Sequence, residues 1–332
     1  MTSPARPPYR PRAWILGVVV PVLITVAAWG VIIPLLPRLP EPAALHWGLG
    51  GTADRTGSVT EMLVTMGAVS GISVAVMAVL AVRTGRQSFT RRMVLGLAVA
   101  LATMFAGTSL ATVLVQVDTT SASEVAAPDG WLALSIVLSV ALGAVAAGLA
   151  GSDPPQPATG HLAADATTAD VPEGTRAVWL KGVAALGERT TWLLVAVVVL
   201  GAAAAWLLTR TLTVPLVLVP VAALVLTMTA WQVQVDPRGL TARGMFGRPR
   251  IHVPAGEVER AEVTTVAPLR EFGGWGLRTN ASGTLGVVIR KGEAMLVHRS
   301  GDRRLVVTVD DAASGAALLN TFAHRARAES TS

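Results

Sequence analysis

The chain has 332 residues, of which 52% are hydrophobic and only 14% charged, with a mean hydropathy of +0.56. A soluble domain carries roughly a quarter charged residues, so the composition excludes an ordinary water-soluble chain. The net charge of +6 on so apolar a chain also excludes an acidic solvating or disordered one, and the lack of cysteine excludes disulfides and thiolate metal sites.

Residues 1–12 form a basic tail with Arg6, Arg10 and Arg12. Six stretches then carry no Asp, Glu, Lys or Arg: Ala13–Pro37, Met62–Val82, Met93–Val117, Gly130–Ser152, Thr190–Thr209 and Thr211–Val235. A bilayer core of about 30 Å takes about 20 helical residues, so the sequence predicts six membrane-spanning helices. Four of them lie within residues 13–150 and two form a hairpin over 190–231. The first stretch exceeds the apolar core of a signal peptide and reads as an uncleaved span. Trp14, Trp29, Trp131, Trp192, Trp206 and Trp231 fall near predicted span ends, as an interfacial aromatic belt requires. Ten Lys and Arg lie on one side in the tail and short loops: Arg6, Arg10, Arg12, Arg83, Arg86, Arg91, Arg92, Arg176, Lys181 and Arg189. Only Arg38, Arg55 and Arg210 lie on the other, which predicts cytoplasmic N- and C-termini in an inner membrane. No ionisable residue falls inside a predicted span, which counts against a proton or ion pathway. Gly67 with Gly71, and Ala144 with Gly148, have the spacing of close helix packing, within one chain or between chains.

The first extracytoplasmic loop, residues 38–60, contains LPEPAALHWGLGGTADRTGS. Its glycines permit chain reversal, so His46 and Asp54 are expected to approach each other, while the neighbours Asp54 and Arg55 point apart. Such a pair suits an ion or a proton, or else bonds loop backbone and fixes the fold. Two ligands are too few for a metal site. Trp47 is expected at the interface as an anchor. Leu39, Pro40, His46, Trp47, Gly48, Gly51, Asp54, Arg55, Gly57 and Ser58 stand in register with the signature of a bacterial membrane family, the domain of unknown function 1648. Glu41 stands where that family has Asp, Ala43-Ala44 where it has Ile-Pro, and Ala53 where it has Pro. The resemblance covers about the first 65 residues. It implies a site over His46, Trp47, Gly48, Gly51, Asp54, Arg55 and Gly57. Because the family includes immunity proteins against a secreted toxin, it also admits toxin immunity or signal reception.

Residues 151–189 read as a cytoplasmic linker: Gly151–Pro172 is flexible, and Thr175–Thr190 is either an interfacial helix carrying Trp179 and Leu180 or a loop leading into span five. From residue 232 to 327 the texture changes to short alternating runs. Strands are expected at Leu240–Phe246, Arg250–Val253, Val258–Val266, Thr284–Arg290, Ala294–His298 and Arg303–Val309, with one at Gln232–Val235 and a Gly-rich loop at Glu271–Gly276. A final helix begins at a cap on Asp310 or Asp311 and buries Leu318, Leu319 and Phe322; residues 328–332 are a tail. The Val235–Leu240 opening, Ile251–Pro254, Glu257–Glu259, Phe272–Arg278 and the closing helix together resemble a bacterial pleckstrin-homology-like domain. Arg243, Arg248 and Arg250 cluster on one hairpin, facing anionic headgroups or simply solvent. Trp275, between glycines, reads as a strand-end core residue, the preferred reading, or else as an exposed lipid or partner contact. The fold class expected is therefore an α-helical polytopic membrane protein with a small C-terminal β domain.

No nucleophile elbow, zinc helix or phosphate loop occurs, and the five histidines lack ligand spacing, so neither catalysis nor a cofactor or metal is expected. The partners expected are the lipid bilayer, an extracytoplasmic peptide or small molecule, and a cytoplasmic protein, but no nucleic acid. The function expected is a membrane-anchored sensor, immunity-type or regulatory binding protein. A transporter component and a membrane scaffold are the alternatives.

Overall fold

Uncharged, strongly apolar segments in this chain satisfy their backbone polar groups internally, as helices. The computed structural model describes residues 10–48, 50–83, 87–153, 156–158, 166–172, 175–185, 187–209 and 213–331. The chain divides into two compact units, residues 1–153 with 199–219 and residues 154–198 with 220–332.

In the first unit a continuous helical segment, Pro11–Arg38, is built from α1 (Arg10–Trp14), a π-helical turn at Ile15–Val19, α2 (Val20–Ile32) and a 3-10 end at Ile33–Arg38. Two short antiparallel strands follow, β1 (Ala43–Trp47) and β2 (Ala53–Gly57), then α3 (Val59–Arg83), α4 (Ser88–Leu114) and α5 (Asp129–Leu149). Helix packing depends on glycines other than those the spacing suggests. A Cβ on Gly143 would lie 2.8 Å from the Ala100 Cβ and 2.9 Å from the Gly96 carbonyl oxygen, so α4 and α5 meet backbone to backbone there. Gly17 is equally tight against Ala81, and Gly107 against Ser135. By contrast Gly71 and Gly148 face open space, and Gly67 meets only the Trp29 ring. The spacing rule finds small residues but not the face they lie on.

The second unit starts with β3 (Trp179–Ala184), where the sequence suggests an interfacial helix or a loop. Helices α6 (Glu188–Thr209) and α7 (Thr213–Thr229), which run across the division between the units, leave this sheet and return to it at β4 (Ala230–Asp236). Because β3 pairs with β4 from Trp179–Val235 to Ala184–Ala230, the β domain begins before the helical hairpin, not at residue 232. Among the described residues five helices are long and apolar enough to cross a membrane: Pro11–Arg38, Val59–Arg83, Ser88–Leu114, Asp129–Leu149 and Arg189–Leu208. This makes a multi-pass membrane protein. The sixth, α7, has 17 residues, because the uncharged stretch Thr211–Val235 continues into β4, whose Trp231, Val233 and Val235 are core residues of the sheet. Lack of charge marks burial in lipid and in protein alike, and for the same reason Trp231 is not part of an aromatic belt.

The remaining strands are β5 (Gly239–Gly244), β6 (Arg250–Pro254), β7 (Val258–Val266), β8 (Gly276–Thr279), β9 (Leu285–Val288), β10 (Gly292–Arg299) and β11 (Arg303–Thr308), with a short helix α8 (Pro268–Phe272) between β7 and β8. They form a four-stranded sheet ordered β3-β4-β5-β6 and a five-stranded sheet ordered β7-β10-β11-β9-β8. Helix α9 (Ala312–Thr331) lies on them, burying Leu318, Leu319 and Phe322 as its periodicity predicts. The Asp311 carboxylate accepts hydrogen bonds from Ser314 Oγ and Trp179 Nε1 and lies beside Lys181. The first two lower its pKa most.

The described part of the expected flexible linker is bonded along the domain surface. Ala158 N–H donates to the Gly256 carbonyl (2.7 Å), Asn320 Nδ2 to the Thr167 carbonyl (2.9 Å), and the Ala169 amide and carbonyl both engage Thr321 Oγ1. A composition with little to bury is still ordered when its main chain finds partners. The tail 1–9 and His161 lie outside the described residues.

Candidate functional site

The loop between the first two long helices is a folded hairpin. Gly51 takes φ +73° at its turn, and the Gly48 and Thr52 main chains bond across it. A Cβ on Gly57 would strike Leu45 and the Glu61 carboxylate. Below the hairpin, Ser58 Oγ accepts the Glu61 amide at 3.0 Å and the Glu41 carboxylate accepts the Val59 amide at 3.2 Å, so both cap the start of α3. Arg55 pairs with Glu61 instead of Asp54, as neighbouring side chains on a strand point apart.

Two side-chain contacts fasten the hairpin to the segment after α4, and neither is legible as such in the sequence. Gln116 is fully buried. Its Oε1 accepts the Ala44 amide at 2.7 Å, while its Nε2 donates to the Ala44 carbonyl at 3.1 Å and to the Thr112 carbonyl at 2.8 Å. One side-chain amide thus serves both main-chain groups of Ala44, as a neighbouring strand would. The available signal was a lone amide at the end of an uncharged stretch, where polar residues act as glue. Trp47, expected as a membrane anchor, instead donates its indole N–H to the Val125 carbonyl at 3.0 Å and packs with Ala44, Ala122 and Val125. A bridge between Thr52 and Ala126 and the Arg38–Asp118 ion pair (Nε to Oδ1, 3.0 Å) complete the module. The hydrogen bond from Arg38 holds the Asp118 carboxyl below its usual range.

Each of these motif residues bonds to another element. His46 and Asp54 bond to each other: Nδ1 and Oδ1 are 2.6 Å apart, and the side chains are 67% and 50% exposed. An exposed pair of this kind contributes about 0–1 kcal/mol, so it adds little to the fold. It presents an imidazole edge and a carboxylate to solvent beside the Gly48 turn.

A second site missed by sequence reasoning lies at the other end of the helices. Arg91, counted among loop charges, is within α4 and 3% exposed. Its Nε donates to the Ala150 carbonyl (2.9 Å) and its Nη2 to the Gly151 carbonyl (3.1 Å), and both Nη atoms reach Asp153 at 3.1 Å. Asp153 also accepts the Ser88 amide at 2.7 Å. The guanidinium fork therefore ties the end of α5 to the start of α4.

In the β domain, Arg243 stands directly opposite Arg250 in the β5–β6 pair, with Arg248 at the exposed turn between them. Trp275, for which the core is the preferred of two readings, is exposed: glycines 273, 274 and 276 all have positive φ and turn the chain so that Phe272 is buried in its place. Among the described residues no three His, Asp or Glu gather as metal ligands.

A family model, Domain of unknown function (DUF1648), matches residues 23–70. The match runs from α2 through the hairpin into α3. No curated protein and no solved structure matches the chain.

Proposed function

We propose that the protein is a multi-pass sensor or immunity-type binding protein whose β1–β2 module meets an extracytoplasmic peptide or small molecule. The His46–Asp54 pair supports the reading: it is exposed, it adds little stability, and it sits on a module that buried bonds hold rigid. Both termini are taken as cytoplasmic on the distribution of Lys and Arg. The β domain, read as pleckstrin-homology-like, is then the cytoplasmic end that engages a partner, with no catalytic step. The test is complementation of a deletion strain by His46→Ala and Asp54→Ala chains at matched membrane levels. Loss of the phenotype is expected; full complementation by both overturns the reading.

A further inference from the structure

The second unit carries an apolar and cationic rim that its own fold does not use. Large side chains stand out of two loops: Phe246, 60% exposed, at the β5–β6 turn, and Leu269 and Trp275, 62% and 53% exposed, around α8. Both loops border the end of α7. A Cβ on Gly244 would lie 3.0 Å from the Thr227 carbonyl oxygen, and one on Gly276 would lie 3.2 Å from the Met228 Cβ. Beside them, α6 departs from β3 and α7 enters β4, joined by the bond from the Ala185 amide to the Thr229 carbonyl (2.8 Å). The loops thus sit at the level where an apolar helical hairpin meets the folded domain.

The charge is predominantly positive: four arginines, Arg243, Arg248, Arg250 and Arg270, stand against one exposed carboxylate, Glu271. Arg243 and Arg250 face each other across the β5–β6 pair, an arrangement that destabilises a ladder unless an anion lies between or beside them. Arg248 and Arg250 are exposed with no carboxylate partner among the described residues, while Arg270, 84% exposed on α8, lies 3.8 Å from the Glu271 carboxylate. Aromatic and aliphatic tips ringed by guanidinium groups match the boundary between acyl chains and anionic headgroups.

We propose that the turn Met245–Arg248 and the segment Leu269–Trp275 dip into the bilayer surface beside α6 and α7, the arginines binding anionic headgroups. The occupant is lipid; a protein in its place is an outcome of the test. Since the chain has no cysteine, Phe246→Cys, Leu269→Cys and Trp275→Cys each introduce a unique attachment point. Each full-length variant is spin-labelled in nanodiscs of phosphatidylcholine, alone and with phosphatidylglycerol. Collision with lipid-soluble oxygen and with an aqueous nickel chelate reports depth. Ala281→Cys, in the exposed β8–β9 turn, is the water-facing control. In the anionic discs the three labels should collide with oxygen and be shielded from nickel, and Ala281→Cys should show the reverse. Replacing Arg248 and Arg250 by Gln should lower the immersed-to-free ratio about fivefold per arginine in those discs. Nickel access equal to that of the control overturns the proposal, as does shielding from both reagents, the mark of a protein contact. Immersion that does not respond to phosphatidylglycerol overturns the headgroup assignment.

Discussion

Gln116→Met is the sharpest probe of how the hairpin is held. Methionine matches glutamine in length, so the change removes hydrogen bonding without opening a large cavity. It leaves the amide and carbonyl of the fully buried Ala44 without the partners they have at 2.7 and 3.1 Å. A buried backbone group left unsatisfied costs about 1–3 kcal/mol, so the pair loses about 2–6 kcal/mol. That cost falls on the local equilibrium between docked and undocked hairpin. Hydrogen exchange of amides 43–57 in nanodiscs should therefore accelerate at least about 30-fold, with the central turns of α3 and α4 unchanged. Exchange within about threefold of the parent would refute the argument. It would assign the docking to Trp47–Val125 and Arg38–Asp118 instead.

Asp153→Ala should cost about 3 kcal/mol or more, because it strands the nearly buried Arg91 guanidinium. Arg91→Lys should not restore the clamp, since one ammonium cannot reach two carbonyls and a carboxylate together. An unchanged Tm in detergent would contradict either expectation. Gly143→Val should destabilise by about 1–3 kcal/mol through its clash with Ala100 and Gly96, whereas Gly71→Val, facing open space, should stay within about 0.5 kcal/mol. Equal thermal shifts would refute that packing. Burial first, and then the Arg250 charge, lower the His252 pKa below its ordinary 6.5. The fold thus disfavours the imidazolium, and the stability this provides is present above about pH 6.5 and is lost as the pH falls toward the folded-state value. Exchange protection of β5 and β6 should fall over that window, and His252→Gln should flatten the trend.

Helix-forming stretches were legible because lipid and buried core both exclude charge, and strands β5, β6, β7, β9, β10 and β11 because period-two runs are bounded by turn residues. The approach of His46 to Asp54 was legible for a local reason: glycines reverse the chain between them within eight residues. Longer-range facts were not. The pairing of β3 with β4 joins segments separated by the whole α6–α7 hairpin, and nothing local in Trp179–Ala184 names its partner. Arg91 read as a loop charge because its acceptors lie about 60 residues away, and Gln116 read as span because its partner Ala44 lies 72 residues back. Composition determined that the chain lives with lipid and where its β domain is concentrated, since transfer free energy acts residue by residue. Only the tertiary structure decided which glycines touch, which polar groups are buried with partners, and that Trp275 faces outward while Phe272 fills the core. Those outcomes depend on geometry shared between distant segments, and hydropathy and spacing carry no record of it.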